Sequence, residues 1–175
     1  MVKIHANTKP SPPIEILNQL VYYDKDQGCL FWKQTKGRMI ADEPCLCIGS
    51  NGHHIIQING KQYQVSRIIW FMHYGSDAEC TIDHKDTDKL NDHISNLRLA
   101  TIGQNNCNVA PRSNNKSGIR GLSFDSTRLK WKASVGLHGK VISLGRFKGK
   151  ILAIKAIKEA RSKLQKEFAF REHNI

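Results

Sequence analysis

The sequence predicts an α+β protein, and three observations carry that prediction. Short β-branched and aromatic runs bounded by turn residues recur along the chain. An Asn59-Gly60 pair separates two alternating segments, as a two-residue hairpin turn requires. The C-terminal segment instead repeats its apolar residues every three to four positions, the period of one amphipathic helix.

Taken in order, residues 5–13 (HANTKPSPP) are polar and proline-bearing, which predicts a loose lead-in. Ile14, Leu17, Leu20 and Val21 recur at helical spacing, so a short helix follows. Cys29 to Lys33 reads as a strand after a turn at Gln27-Gly28, and His54 to Val65 reads as a hairpin around Asn59-Gly60. Ser66 is the expected N-cap of a helix running to Tyr74 and ended by Gly75, with Trp70 and Met72 in the core. Thr81 to His84 and Leu97 to Ala100 are short strands joined by a polar, turn-rich loop. Thr101 and Gln104 form a capping-box pattern that starts a helix at Ile102.

Residues 109–117 have the proline, serine and asparagine content of a linker. Beyond them, Ile119 to Phe124, Lys130 to Leu137 and Lys140 to Phe147 are three strands, the last two joined at His138-Gly139. A helix from about Gly149 follows, with Ala153, Ala156, Ile157, Ala160, Leu164 and Phe168 as its apolar face. The expectation is a small three-stranded antiparallel sheet with one face on the helix and a basic face left open.

Composition narrows the function. The 175 residues carry a net charge of +12, which points to a polyanionic partner. Residues 117–175 hold 14 Lys and Arg against 4 Asp and Glu, so most of the excess lies in that last third of the chain. The five cysteines (Cys29, Cys45, Cys47, Cys80 and Cys107) form no CxxC pair, which argues against a structural zinc. Their odd number, with no secretory signal and no apolar run of about 20 residues, predicts a cytoplasmic protein.

The chemistry is concentrated between Thr81 and Asn108. Phosphodiester cleavage needs a nucleophile, charge relief at the phosphate, and help for the leaving 3′ oxygen. A hard divalent cation asks for oxygen ligands and keeps several waters, so a carboxylate and an amide oxygen suffice. Asp83 and Asn105 offer those two oxygens, and His84 offers an imidazole as general base. Neighbours on a strand point to opposite faces, so the strand must bend or end here for both Asp83 and His84 to serve one site. Asn96 is placed either to hold the loop or to orient the His84 ring.

The text IDHKDTDKLNDHISNLRLATIGQNNCN, Ile82 to Asn108, resembles the HNH family of ββα-metal nucleases, specifically the phage and intron-encoded homing endonucleases. Leu30 to Lys33 and NGHHIIQINGKQYQVSRIIW look like the preamble common in these proteins. The resemblance implies a metal-dependent DNA endonuclease using one Mg²⁺ or Mn²⁺ ion. His84 would be the general base, Asp83 and Asn105 the metal ligands, and Asn96 the supporting catalytic amide. Two departures stand out: Ser66-Arg67 where the family often has His-Arg, and Thr87 where it has glycine. His93 reads as loop decoration, and His53, His54 and His73 are weak candidates.

The region from Ser117 resembles the Apetala-type (plant ethylene-response-factor) DNA-binding domain. The resemblance is carried by Gly118-Ile-Arg-Gly-Leu122, Lys130-Trp-Lys-Ala133, Leu144-Gly-Arg-Phe147 and the alanine-bearing helix. It implies a sheet lying in the major groove of double-stranded DNA. Arg120 matches a DNA-contacting arginine, whereas other base-reading positions fall on Ser123, Asp125, Gly136, Val141 and Ser143. Lys130, Lys132, Lys140, Arg146 and Lys148 are expected on phosphates, and Trp131 in the core.

The expected organisation is thus a nuclease domain over 1–110 (its ββα core about 79–110), a linker over 111–117 and a DNA-binding domain over 118–175. A monomer would nick and a homodimer would break both strands. The alternative is a catalytically silent, sequence-specific DNA-binding protein. A basic RNA-binding protein lacks support, because no RNA-recognition motif occurs.

Overall fold

The computed structural model describes residues 10–109, 111, 113–137 and 139–169. The expected lead-in ahead of Pro10 and the turn residue His138 lie outside the described residues. The described chain divides into two compact units, one ending at Ala100 and the other beginning at Thr101.

In the first unit, α1 (Ile14–Leu20) starts after Pro13 and buries Leu17. Val21, expected in that helix, instead opens β1 (Val21–Asp24), which pairs antiparallel with β2 (Cys29–Trp32) in the register Val21↔Trp32. The Val-Tyr-Tyr run has the β-branched and aromatic character of a strand. Asp24 also builds the turn locally: its Oδ1 accepts from the Asp26 and Gln27 amides, at 2.9 and 3.0 Å. Asn59 (φ 49°) and Gly60 (φ 74°) join β3 (Ile55–Ile58) to β4 (Lys61–Gln64). Both positive angles suit the right-handed twist of a hairpin.

β4 leads directly into α2 (Val65–Tyr74), so the expected N-cap at Ser66 is corrected: Gln64 holds that position, and Ser66 is a buried helical residue. Val65, Ile68 and Ile69, at i, i+3 and i+4, are all buried, and their packing sets where the helix begins. Gly75 (φ 72°) ends it, as expected. Arg67 on this helix donates to the carbonyls of Ala78 (2.7 Å) and Cys80 (3.2 Å) and pairs with Asp77 (2.9 Å). That bracket delivers the chain into β5 (Thr81–His84), which pairs with β6 (Leu97–Ala100) in the register Asp83↔Arg98 and His84↔Leu97. Ile82 and Leu97 tie this pair to the core formed by Leu17, Leu30, Ile56, Ile58, Val65, Ile68 and Ile69.

The second unit opens with α3 (Ile102–Asn105), whose capping box between Thr101 and Gln104 is complete. β7 (Leu122–Asp125), β8 (Lys130–Leu137) and β9 (Lys140–Phe147) form an antiparallel sheet in that order, packed on α4 (Lys150–Gln165). Its core is Ile119, Leu122, Ala133, Val135, Ala153 and Ile157. Ala133 pairs with Gly145 while Ser134 pairs with Ser143, so Leu144 is the extra residue of a bulge. The buried stripe of α4 runs through Ala153, Ile157, Arg161 and Gln165, while Leu164 is exposed, contrary to expectation. Two sheet-side carbonyls explain the difference, since each needs a donor: Arg161 donates to the Arg120 carbonyl at 2.7 Å and Gln165 to that of Gly136 at 2.8 Å.

Candidate functional site

Asp83 and His84 end β5, and both are buried, at 4% and 5% exposure. The strand stops at His84, as the sequence required, and a turn follows in which the Thr87 amide donates to the His84 carbonyl. Thr87 occupies this turn at φ 70°, the left-handed region that favours glycine. The chain thus keeps the conformation of the glycine expected there despite a β-branched side chain.

The two side chains have different partners. Across the strand pair, Arg98 reaches Asp83 Oδ2 with Nε at 2.8 Å and Nη2 at 2.7 Å. The His84 ring instead meets Asp92, a carboxylate at 5% exposure: Nε2 lies 3.0 Å from Asp92 Oδ1. The second Asp92 oxygen lies 2.9 Å from Nδ1 of the buried His54. One carboxylate therefore sits between two imidazoles, contributed by the residue just ahead of β3 and the end of β5. The His53 ring lies 5.4 Å from that of His84, and its Nδ1 is buried with no hydrogen-bond partner among the described residues. Burial, then the neighbouring His84, holds the His53 imidazole below the usual histidine range.

Asn96 holds the loop and not the ring. Its amide donates to Asp86 Oδ1 at 2.9 Å and to the Asn91 carbonyl at 2.8 Å, while its oxygen accepts from the Asp86 amide at 3.1 Å. Asn91 adds a bond to Asp86 Oδ2 at 2.7 Å. Burial raises the Asp86 carboxyl, but the bonds from Asn91, Asn96 and the Asp88 amide outweigh it and leave the group below the ordinary carboxylate range. The 86–91 loop is thereby shaped just ahead of Asp92. His93, expected as loop decoration, caps the 3₁₀ turn Ile94–Asn96 by accepting from the Ser95 amide.

Sequence reasoning missed Asp92 and Arg98 and undervalued His54. The strand register pairs Arg98 with Asp83, so that partner was within reach of a careful pairing. Nothing in the Asn91-Asp92-His93 run distinguishes a buried carboxylate from a loop residue, because its partner His54 is 38 residues away.

Asn105 is the last residue of α3; its amide donates to the Thr101 carbonyl and its carbonyl accepts from Asn108. Asp83 on β5 and Asn105 on α3 each carry a hard oxygen, the donor type that Mg²⁺ or Mn²⁺ prefers. No cluster of three or more His, Cys, Asp or Glu suited to a metal occurs among the described residues.

In the second unit, the register places Lys130, Lys132 and Arg146 on the sheet face opposite α4, with Ser123, Asp125, Gly136, Val141 and Ser143. Lys132, Arg146 and Lys148 are exposed, as is Lys140 at the start of β9. Asp125 restrains this face by pairing with Arg146 at 3.0 Å and Arg128 at 3.4 Å. Arg120 lies elsewhere: its Nη1 donates to the carbonyls of Asn106 (2.7 Å), Cys107 (3.3 Å) and Val109 (3.3 Å). Trp131 is half-buried against the core, edge-on to Phe124, with the Lys150 ammonium 5.4 Å from its ring centre.

Residues 63–107 match the HNH endonuclease family, a span that contains Asp83, His84, Asp92, Asn96 and Asn105. Over 94 residues the chain is 36% identical to an uncharacterized HNH endonuclease of Acanthamoeba polyphaga mimivirus, covering 53% of this chain and 47% of that protein. It is 42% identical over 59 residues to Protein 3.8 of Escherichia phage T7, covering 34% of this chain and 49% of that protein. The chain thus spans about half the length of the curated relatives it matches. No solved structure matches it. No helix among the described residues is long and apolar enough to cross a membrane. From β4 through the helix that bears Asn105, this chain carries an HNH endonuclease domain.

Proposed function

We propose that this protein is a metal-dependent DNA endonuclease of the homing type, anchored on its duplex by the C-terminal sheet. The observation that carries the reading is the family match over residues 63–107. Inside that span His84 ends a strand, with its ring held by a buried carboxylate.

In this reading His84 is the general base. It takes a proton from water as the water oxygen bonds to phosphorus and the P–O3′ bond breaks, and the departing oxygen is protonated from solvent. Asp83 and Asn105 would hold one Mg²⁺ or Mn²⁺ ion, which when bound relieves charge on the phosphate and the leaving oxygen. Arg98 fixes the Asp83 carboxylate beside β6, and Asn96 shapes the loop that leads to Asp92. One such site per chain cuts one strand, so a monomer nicks and a homodimer breaks both.

The sheet face bearing Lys130, Lys132 and Arg146, with Lys148 beyond the end of β9, supplies phosphate contacts in the manner of the Apetala-type domain. Lys140, paired with Leu137 at the hairpin tip, adds one from the other side of the sheet. Arg120 supports that module from within, through its bonds to residues 106–109.

Incubating the full chain with supercoiled plasmid and with viral genomic DNA, with Mg²⁺, Mn²⁺ or chelator, tests the reading. Metal-dependent nicking that His84→Ala lowers by about 10²–10⁴-fold is the expected result. Binding without cutting, by wild type and variant alike under both metals, would replace it with the silent DNA-binding protein.

A further inference from the structure

We infer that Asp92 is a positioning residue which fixes the His84 ring in one tautomer, and that His54 is the anchor holding Asp92 in place. The inference rests on the reading of His84 as the general base. Its geometry is His54 Nδ1–Asp92 Oδ2 at 2.9 Å and His84 Nε2–Asp92 Oδ1 at 3.0 Å, with all three residues under a tenth exposed.

An ionised carboxylate only accepts hydrogen bonds, so each ring nitrogen facing Asp92 must carry a proton. In the neutral ring, His84 Nε2 is then the N–H and Nδ1 bears the lone pair. The site needs such an assignment, because a base of the wrong tautomer presents a proton where it must accept one. In water a histidine interconverts its two tautomers; here the partner of one nitrogen decides the state of the other.

A lone buried carboxylate would be costly and free to choose other donors. His54 removes that freedom by occupying the second oxygen, and His54 is itself fixed because its carbonyl accepts from the Val65 amide at 3.0 Å. The chain of positioning therefore runs from the α2 N-terminus through His54 and Asp92 to His84. Asn96, which the sequence offered as a candidate to orient the ring, contributes one step further back by shaping the loop before Asp92.

The test is histidine-selective ¹⁵N NMR on the full-length, metal-free chain under mildly alkaline conditions, where free imidazole is neutral. Wild-type His84 is expected as a single Nε2–H tautomer and His54 as a single Nδ1–H tautomer. Asp92→Asn replaces one accepting oxygen with a donating NH₂ group, so one of the two rings must present a lone pair and change tautomer. Single-turnover nicking by that variant is expected to fall about 10²-fold, with little change in the DNA concentration at half-saturation.

A purely structural Asp92 would lower the melting temperature of the variant while leaving both ring assignments as in wild type, and that result overturns the inference. Wild-type His84 found as Nδ1–H, or as a mixture of tautomers, overturns it as well. Should Asp92→Asn not fold, the wild-type tautomers alone decide. If wild type cuts no DNA, the nuclease reading fails, while the NMR assignments still determine whether Asp92 sets the ring.

Discussion

Arg98 faces Asp83 across the β5–β6 pair and places Nε and Nη2 within 2.8 Å of a single carboxylate oxygen, Oδ2. Asp83 is 4% exposed in its side chain and Arg98 14%, so this ion pair is largely screened from water. A buried carboxylate that loses its cation is expensive, because burial leaves its charge poorly compensated. Arg98→Met is therefore expected to destabilise the first unit by about 3 kcal/mol, the low end for breaking a buried pair because Arg98 keeps some exposure. Adding Asp83→Asn should recover part of that loss. Urea denaturation of the two single variants and the double variant measures the coupling.

Thr87 makes the opposite prediction. A β-branched residue at φ 70° is strained, by roughly 1–2 kcal/mol, and glycine is not. Thr87→Gly is expected to raise stability by about 0.5–1 kcal/mol, part of the relief being offset by the greater freedom of an unfolded glycine. A shift in the urea midpoint with an unchanged slope would show it; a fall in stability would mean that the side chain contributes contacts outweighing the strain.

Gly121 in the second unit cannot be replaced cheaply. It sits at φ 79°, and a Cβ there would collide with the Ser134 carbonyl, the group that lies beside it as β7 meets β8. Gly121→Ala should cost more than about 2 kcal/mol, since backbone against backbone leaves no side chain to move. Gly139, also at positive φ but with open space around its Cβ position, should cost less when changed to alanine. Comparing the two by thermal denaturation separates collision from backbone strain.

Asp86 links the loop to pH. Its folded carboxyl is held below the ordinary range, so it contributes stability above the unfolded carboxylate value. That contribution disappears as pH falls through the depressed folded value. Asp86→Asn should therefore flatten the stability-versus-pH curve below about pH 5 and lower stability most at neutral pH. Denaturation series between pH 3 and 7, about the carboxylate range, would reveal it; parallel curves for wild type and variant would refute it.

The sheet face yields a prediction in salt. If Lys132 contacts a phosphate, Lys132→Ala should weaken DNA binding across all sequences and reduce the slope of log K against log salt by about 0.9. Arg146→Ala should do so less cleanly, because it also releases Asp125 from its 3.0 Å pair. Fluorescence anisotropy of the full chain at several salt concentrations measures both.

Local elements were legible because their signals are local. Asn59-Gly60 specified its hairpin, Thr101 and Gln104 their capping box, and Gly75 its helix end, each through backbone geometry that a few neighbouring residues decide. The helical reading of Val21 failed for the converse reason: an apolar residue at i+4 looks the same in a helix and at the head of a strand until its partner, Trp32, is known. On α4, period alone selected Leu164, whereas the buried stripe passes through Arg161 and Gln165, because carbonyls at Arg120 and Gly136 require donors.

By itself the sequence determined the α+β class, the strand–loop–strand–helix order around Asp83 and His84, and the basic C-terminal sheet with its helix. These follow from periodicity, turn chemistry and motif spacing, which short stretches of chain carry within themselves. Only the tertiary structure decided what touches the His84 ring. His54 and Asp92 are 38 residues apart, and their meeting depends on how β3 and the β5–β6 loop pack around one core. A hydrogen bond between distant residues leaves no period in the sequence, so the buried carboxylate between two imidazoles became visible only once the chain was folded.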